Sequence, residues 1–195
     1  MPAHLDHFVL EGKRLTREGE LNVHIVDCDL DPLTNRRFSI KGNGAKHRRM
    51  GKIALQLRND RLYGDGREIV LYSPPGPRDS SIQATRKLYE EIQGKSALNA
   101  CLAHYLGNHI ELVPKSWLRD ATNMLQVYFW GTIFRGSPDD YGWPPECALY
   151  VAELNISYGL RYDSGSNEVC WSAEVQMRNP FEGGNIFHPV AIWSV

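Results

Sequence analysis

The chain has 195 residues, 42% of them hydrophobic, with 22 basic and 23 acidic side chains and a formal net charge of -1. Such a length buries one substantial core, so a single domain over 1–195 is expected. So nearly neutral a chain has no global field to gather nucleic acid or an anionic membrane, and any polyanion contact has to be local. The first residues turn polar at once, which reads against a secretory signal, and no run of about 18 apolar residues is present to cross a bilayer. The expectation is a soluble protein, intracellular or within a virus-like assembly. Cys28, Cys101, Cys147 and Cys170 lie far apart without a CxxC pair, which supports neither a zinc ribbon nor a redox motif and favours a reduced compartment.

In chain order, the first predicted strand is 7–10, preceded by His4-Leu5-Asp6-His7. Two imidazoles and a carboxylate so close together make His4 and His7 candidate ligands to zinc or iron, against the plainer reading of incidental histidines at a chain end. The tetrad resembles part of a metallo-β-lactamase motif without its preceding histidine pair. Residues 5–8 likewise resemble the opening strand of glyoxalase-like proteins, without the helix that follows it there.

A second strand is predicted over 21–30. Asp27, Asp29 and Asp31 then project from one side of an extended segment and are candidate oxygen ligands to calcium or another divalent ion. The alternative is a solvated strand end paired with Arg36 and Arg37, since the loop lacks the glycine and distal glutamate of a calcium-binding helix-loop-helix. His24 falls on the opposite face from the aspartates. After a strand at 37–41 and a turn at 42–44 comes the one dense basic run, 46–52. Lys46, Arg48 and Arg49 are its candidate nucleic-acid contacts, through phosphate, although no aromatic is interleaved for base stacking and a solvated loop is the competing expectation.

Ile53, Leu55 and Leu57 alternate with polar neighbours, predicting a strand at 52–58, and another follows at 68–72 beyond the turn Gly64-Asp65-Gly66. The proline-rich stretch 73–77 breaks the strand pattern. A two-helix insertion is predicted around 80–106: one helix from Ser80, with Gln83 completing a capping box, to Gly94, and one from Ser96 to Gly107 burying Leu98, Cys101, Leu102 and Tyr105. Strands are then expected at 109–113, 124–134, 148–162, 168–178 and 186–193. Segment 124–134 is apolar on both faces, with Met124, Tyr128, Trp130 and Phe134 on one and Leu125, Val127, Phe129 and Ile133 on the other, so both must be covered. In 148–162 and 168–178 the alternation is clean, and Glu153, Asn155 and Ser157 mark a wetter face. The glycosylation triplet at Asn155 is read as a chance match on a strand.

No G-x-S-x-G elbow, phosphate-cradling glycine loop or local cysteine signature is present. His104, His109 and His188 are expected to be structural histidines, because one sequence does not show whether they converge with other groups.

The fold class expected is mainly β, an antiparallel jelly-roll-like sandwich with the helical crossover. Met124-Leu-Gln-Val-Tyr-Phe-Trp-Gly-Thr-Ile-Phe134, a Gly/Pro/Asp-rich excursion, and Ala148-Leu-Tyr-Val-Ala-Glu-Leu-Asn-Ile-Ser-Tyr158 together resemble the late strands of single jelly-roll coat proteins of small icosahedral viruses. The resemblance covers about residues 124–162. It implies a non-enzymatic structural subunit that assembles with copies of itself into a shell or lattice, without a cofactor. The strongly basic arm common in such coats is missing. Two further readings stand beside it: a metal-dependent enzyme or small-ligand sandwich using His4, His7, His24 or the aspartates, and a protein- or carbohydrate-binding module. Tyr141 and Trp143, in an aromatic loop, are candidate contacts for assembly or a partner.

Overall fold

The computed structural model describes residues 9–13, 22–32, 38–39, 45–73, 90–92, 95–118, 124–136, 149–163, 166–179 and 189–194. Among them the chain is mostly β. The strands are β1 (Val9–Lys13), β2 (Val23–Asp27), β3 (Phe38–Ser39), β4 (Lys46–His47), β5 (Lys52–Arg58), β6 (Arg61–Gly64), β7 (Arg67–Tyr72), β8 (Met124–Gly136), β9 (Leu149–Asp163), β10 (Ser166–Arg178) and β11 (Val190–Trp193). They form one sheet in the order β1-β2-β5-β6-β7-β11-β8-β9-β10, with β3 and β4 added along β8. Pairing is antiparallel except where β11 meets β8 in parallel at Val190 and Tyr128. Among the described residues most neighbours are consecutive hairpins, so the sheet reads as meanders joined through β11.

Helix α1 (Ala100–Asn108) follows helical residues at 90–92. It packs against β8, β9 and β10 at one end of the strand order and against β2 near the other, so the sheet curls around it. The larger core cluster joins both halves to the helix: Val26, Ile53, Leu55 and Leu62 from one side, Val127, Phe129, Leu154 and Ile156 from the other, with Leu102 and Leu106 between. A second cluster lies on the other face of the central strands, with Tyr128, Trp130, Ile133, Val151, Val190 and Ile192. The two clusters are the two coverings that the doubly apolar segment 124–134 requires. At roughly 25 cal/mol per Å² of apolar surface, burial of its aromatics makes β8 the centre of stability.

The two faces of β8 are not those of simple alternation. Phe129 pairs with Ala152 and Ile133 with Val151, adjacent residues on β9, so 130–132 form a bulge that shifts the phase. Ile133 therefore joins Tyr128 and Trp130, and Phe134 returns to the cluster of Val127 and Phe129. Gly131 permits the bulge to touch the helix entry: a Cβ there would lie 2.6 Å from the carbonyl carbon of Leu98. Its N–H donates to Leu98 O at 2.8 Å and its carbonyl accepts the Arg48 N–H at 2.7 Å. Beside it, buried Thr132 accepts the Ala100 N–H through Oγ1 at 2.9 Å and lies 2.9 Å from His47 Nδ1.

Several local expectations change. Helix α1 is capped by Asn99, not Ser96: its Oδ1 accepts the Leu102 N–H while its Nδ2 donates to Cys28 O and Arg48 O. Asparagine wins because it satisfies both the helix end and two loop carbonyls. The helix runs through Gly107 to Asn108. The segment 109–113, expected as a strand, is a 3-10 turn, Ile110–Leu112, continuing the helix exit. β6 was not legible because its hairpin turn uses Asn59 and Asp60 at positive φ, without glycine. Glu153, placed on the wetter face, is 1% exposed and accepts Arg178 Nε at 3.1 Å. Segment 21–30 is strand only as far as Asp27 and then bends.

Candidate metal centre

Alternation along β2 puts His24 on the same face as buried Val26, at the margin of the core. There the imidazole meets the exit of α1. His24 Nδ1 lies 2.8 Å from the Tyr105 hydroxyl, and the two rings meet edge-on. One helical turn later His109, the C-cap, stacks on Tyr105 with ring centroids 4.3 Å apart, the neighbourhood that i and i+4 positions share. The 3-10 turn then brings Glu111 back, its Oε1 2.9 Å from His109 Nδ1. His24 and His109 stand edge to face with centroids 5.3 Å apart.

Each of His24, His109 and Glu111 offers one ligand atom, and these atoms lie within 4.8 Å of one another. Tetrahedral zinc with bonds of 2.0–2.1 Å sets its ligands roughly 3.3 Å apart, so the three groups must draw closer to close on an ion. Two imidazoles and one carboxylate suit zinc or iron better than calcium, which takes oxygen ligands. Burial first, and then the neighbouring His109, holds the His24 pKa below its ordinary value, with Glu111 opposing, so His24 is neutral at neutral pH, the form that ligates. Burial, followed by the Glu111 charge, pushes the Tyr105 hydroxyl up to about 12, which keeps it a phenol able to orient the His24 ring from outside the metal shell. Glu111 also borders an open cleft of about 510 Å³ shared with Leu57, Val113 and Leu118.

The three aspartates are placed differently. Beyond the end of β2, Asp27 Oδ1 accepts the Asp29 N–H at 3.0 Å, Asp29 Oδ1 accepts the Gly51 N–H at 2.7 Å, and Asp31 pairs with Arg49 at 3.7 Å on the surface. The bend gives the carboxylates separate tasks in closing the loop. Arg36 and Arg37, their expected partners, lie outside the described residues, as do His4, His7, Tyr141 and Trp143. Lys46 is in β4 on the edge of β8, and Arg48 is anchored beside the bulge, so the basic run is built into the sheet margin. Cys28 and Cys101 are buried thiols, and burial raises the pKa of both.

Sequence reasoning named His24 as a candidate ligand, read His109 as a structural histidine and did not name Glu111. The one local trace is His109-x-Glu111 directly after a helix, which is too short to distinguish from chance. No family model, curated protein or solved structure matches the chain. Among the described residues no helix is long and apolar enough to cross a membrane.

Proposed function

We propose that this is a β-rich protein that binds a divalent transition metal through His24, His109 and Glu111. The observation that carries the reading is the convergence of these three groups from a strand, a helix cap and a 3-10 turn, with Tyr105 bracing both imidazoles. Three protein ligands leave a coordination position open, the arrangement in which a bound ion polarises a substrate oxygen or activates water. Metal-dependent chemistry on a small ligand entering beside Glu111 is the enzymatic form of this proposal.

Titration of metal-free protein with cobalt(II), followed by visible absorption, tests it. One equivalent with d–d bands of a low-coordinate nitrogen and oxygen site is expected, lost in His24→Ala and His109→Ala, with circular dichroism confirming that both variants fold. Absence of uptake by the folded wild type, or uptake unchanged in the double variant, overturns the assignment. In the latter case His4→Ala and His7→Ala locate the ion at the N-terminus instead.

The second reading is self-assembly, as the coat-like resemblance implies. It is supported by β10, which ends the strand order with its outer edge unpaired among the described residues and pairs with β9 without a bulge. A sandwich-like, jelly-roll-like layering is the finer architecture proposed with it, supported by the curl of the sheet around α1. Such an edge is a template for another strand. Solution mass is its test.

A further inference from the structure

Strand β7 is longer than its neighbour β6. Their pairing ends at Ile69 opposite Leu62, because the chain turns at Asn59 and Asp60. On its other side β7 pairs with β11 as far as Tyr72, and the Ser194 N–H, donating to Glu68 O at 2.9 Å, shows which residues face that strand. Backbone groups alternate sides in an antiparallel ladder, so Glu68, Val70 and Tyr72 face β11, and Ile69, Leu71 and Ser73 face away from it. The N–H and C=O of Leu71 thus point to where β6 has already ended, and neither has a backbone partner there among the described residues. Asp60, the residue next in line to oppose Leu71, is at φ 61° and its carbonyl accepts the Ser116 hydroxyl at 3.2 Å.

A cleft of about 780 Å³ occupies that place. Ile69, Val70 and Leu71 all line it, residues from both faces of β7, so it runs along the edge of the strand rather than over one face. Ile69 and Leu71 belong with the larger core cluster, and on that side Trp117, from the 3-10 turn Lys115–Leu118, and Leu125 of β8 wall the cleft with apolar surface. Val70 and Glu68 share the opposite face, where Glu68 pairs with Arg61 at 3.4 Å. What the cleft offers is a backbone donor and acceptor beside an apolar wall, and such groups are costly to leave unmatched once water is excluded. We propose that it receives a short extended peptide segment of another protein, which adds a strand to the β7 edge at Leu71 and Ser73 and buries an apolar side chain against Trp117 and Leu125. A peptide residue is the chemical match: its N–H and C=O leave the chain on one side, and its alternating side chains reach the apolar wall and the polar face in turn. The chain's own continuation beyond Ser73 fits less well, because Pro74, Pro75 and Pro77 have no N–H to give. β10 of a second copy is 13 residues long, whereas the free edge from Leu71 to Ser73 spans about 7 Å and is stopped by the turn at Asn59 and Asp60. The assignment uses no residue of the metal centre.

The test is a titration of the full chain, up to millimolar peptide, with an acetylated and amidated pentapeptide of alternating valine and threonine, and with the same peptide N-methylated at two consecutive central residues. Amide NMR shifts and hydrogen exchange are the readouts. Fast exchange of the Leu71 amide in the free protein is expected, then saturable shifts at Leu71 and Ser73 with protection of Leu71 on binding. The N-methylated peptide, which lacks the N–H facing the edge, binds about fivefold more weakly or worse. Ser73→Pro removes an exposed N–H and Trp117→Ala removes the apolar wall, and each weakens the unmethylated peptide by a similar factor; Ser73→Pro serves alone if Trp117→Ala does not fold. No saturable shift, or equal binding of the two peptides, overturns the proposal. Slow exchange of the Leu71 amide in the free protein also overturns it: protection independent of protein concentration assigns the edge to the chain's own segments, and protection that rises with concentration assigns it to a second copy.

Discussion

His104 lies on α1 at 7% exposure, and burial holds its pKa down to about 4, well below the ordinary value of 6.5. Between these values the unfolded chain takes up a proton that the folded chain refuses. Its contribution to stability is therefore fully present above pH 6.5 and is lost as the pH falls toward 4. His24 and His47, both depressed first by burial, act in the same direction. Urea midpoints are expected to fall steadily from pH 7 to pH 4.5, with the His104 ring signals titrating near pH 4 by NMR; a flat profile contradicts the buried neutral imidazole. At this scale the sequence was a partial guide. It showed His24 apart from the aspartates, but it could not show that a helix exit would deliver His109 and Glu111 to it, because that meeting is a tertiary contact between distant segments.

At the level of elements, the bulge in β8 and the entry of α1 form one joint. Gly131, Thr132 and Asn99 hold the 45–51 segment, the helix end and the central strand together. Gly131→Ala forces a Cβ into the Leu98 backbone and is expected to cost about 2–3 kcal/mol, the upper range for overpacking. Thr132→Val keeps the shape but strands the buried Ala100 N–H, a loss of about 1–3 kcal/mol. Equilibrium urea unfolding measures both, and wild-type stability in either variant contradicts the joint. The long strands were legible because period-two alternation survives in 52–58 and in β10. The bulge was not legible: two runs of alternation with opposite phase look like one apolar segment until the partner strand fixes the register.

For the whole molecule, the edge of β10 that is unpaired among the described residues sets the expectation for association. Antiparallel pairing with a second copy about Gln176 places Glu174 opposite Arg178 of that copy on both sides of the two-fold axis, and such cross-strand charge pairs are favourable. Sedimentation velocity is expected to show a concentration-dependent species heavier than the 22.2 kDa chain, weakened by Gln176→Lys, which sets two ammonium groups face to face. A strict monomer at all concentrations removes the assembly reading. By itself the sequence determined that the chain is mostly β, where most long strands run, that helices interrupt them, and that 124–134 must be covered on both faces, because these follow from local periodicity and turn chemistry. Only the tertiary structure decided the strand order, the curl around α1 and the meeting of His24 with His109 and Glu111. Those depend on which distant segments pack together, and the free energy of that choice lies in contacts that no local pattern encodes.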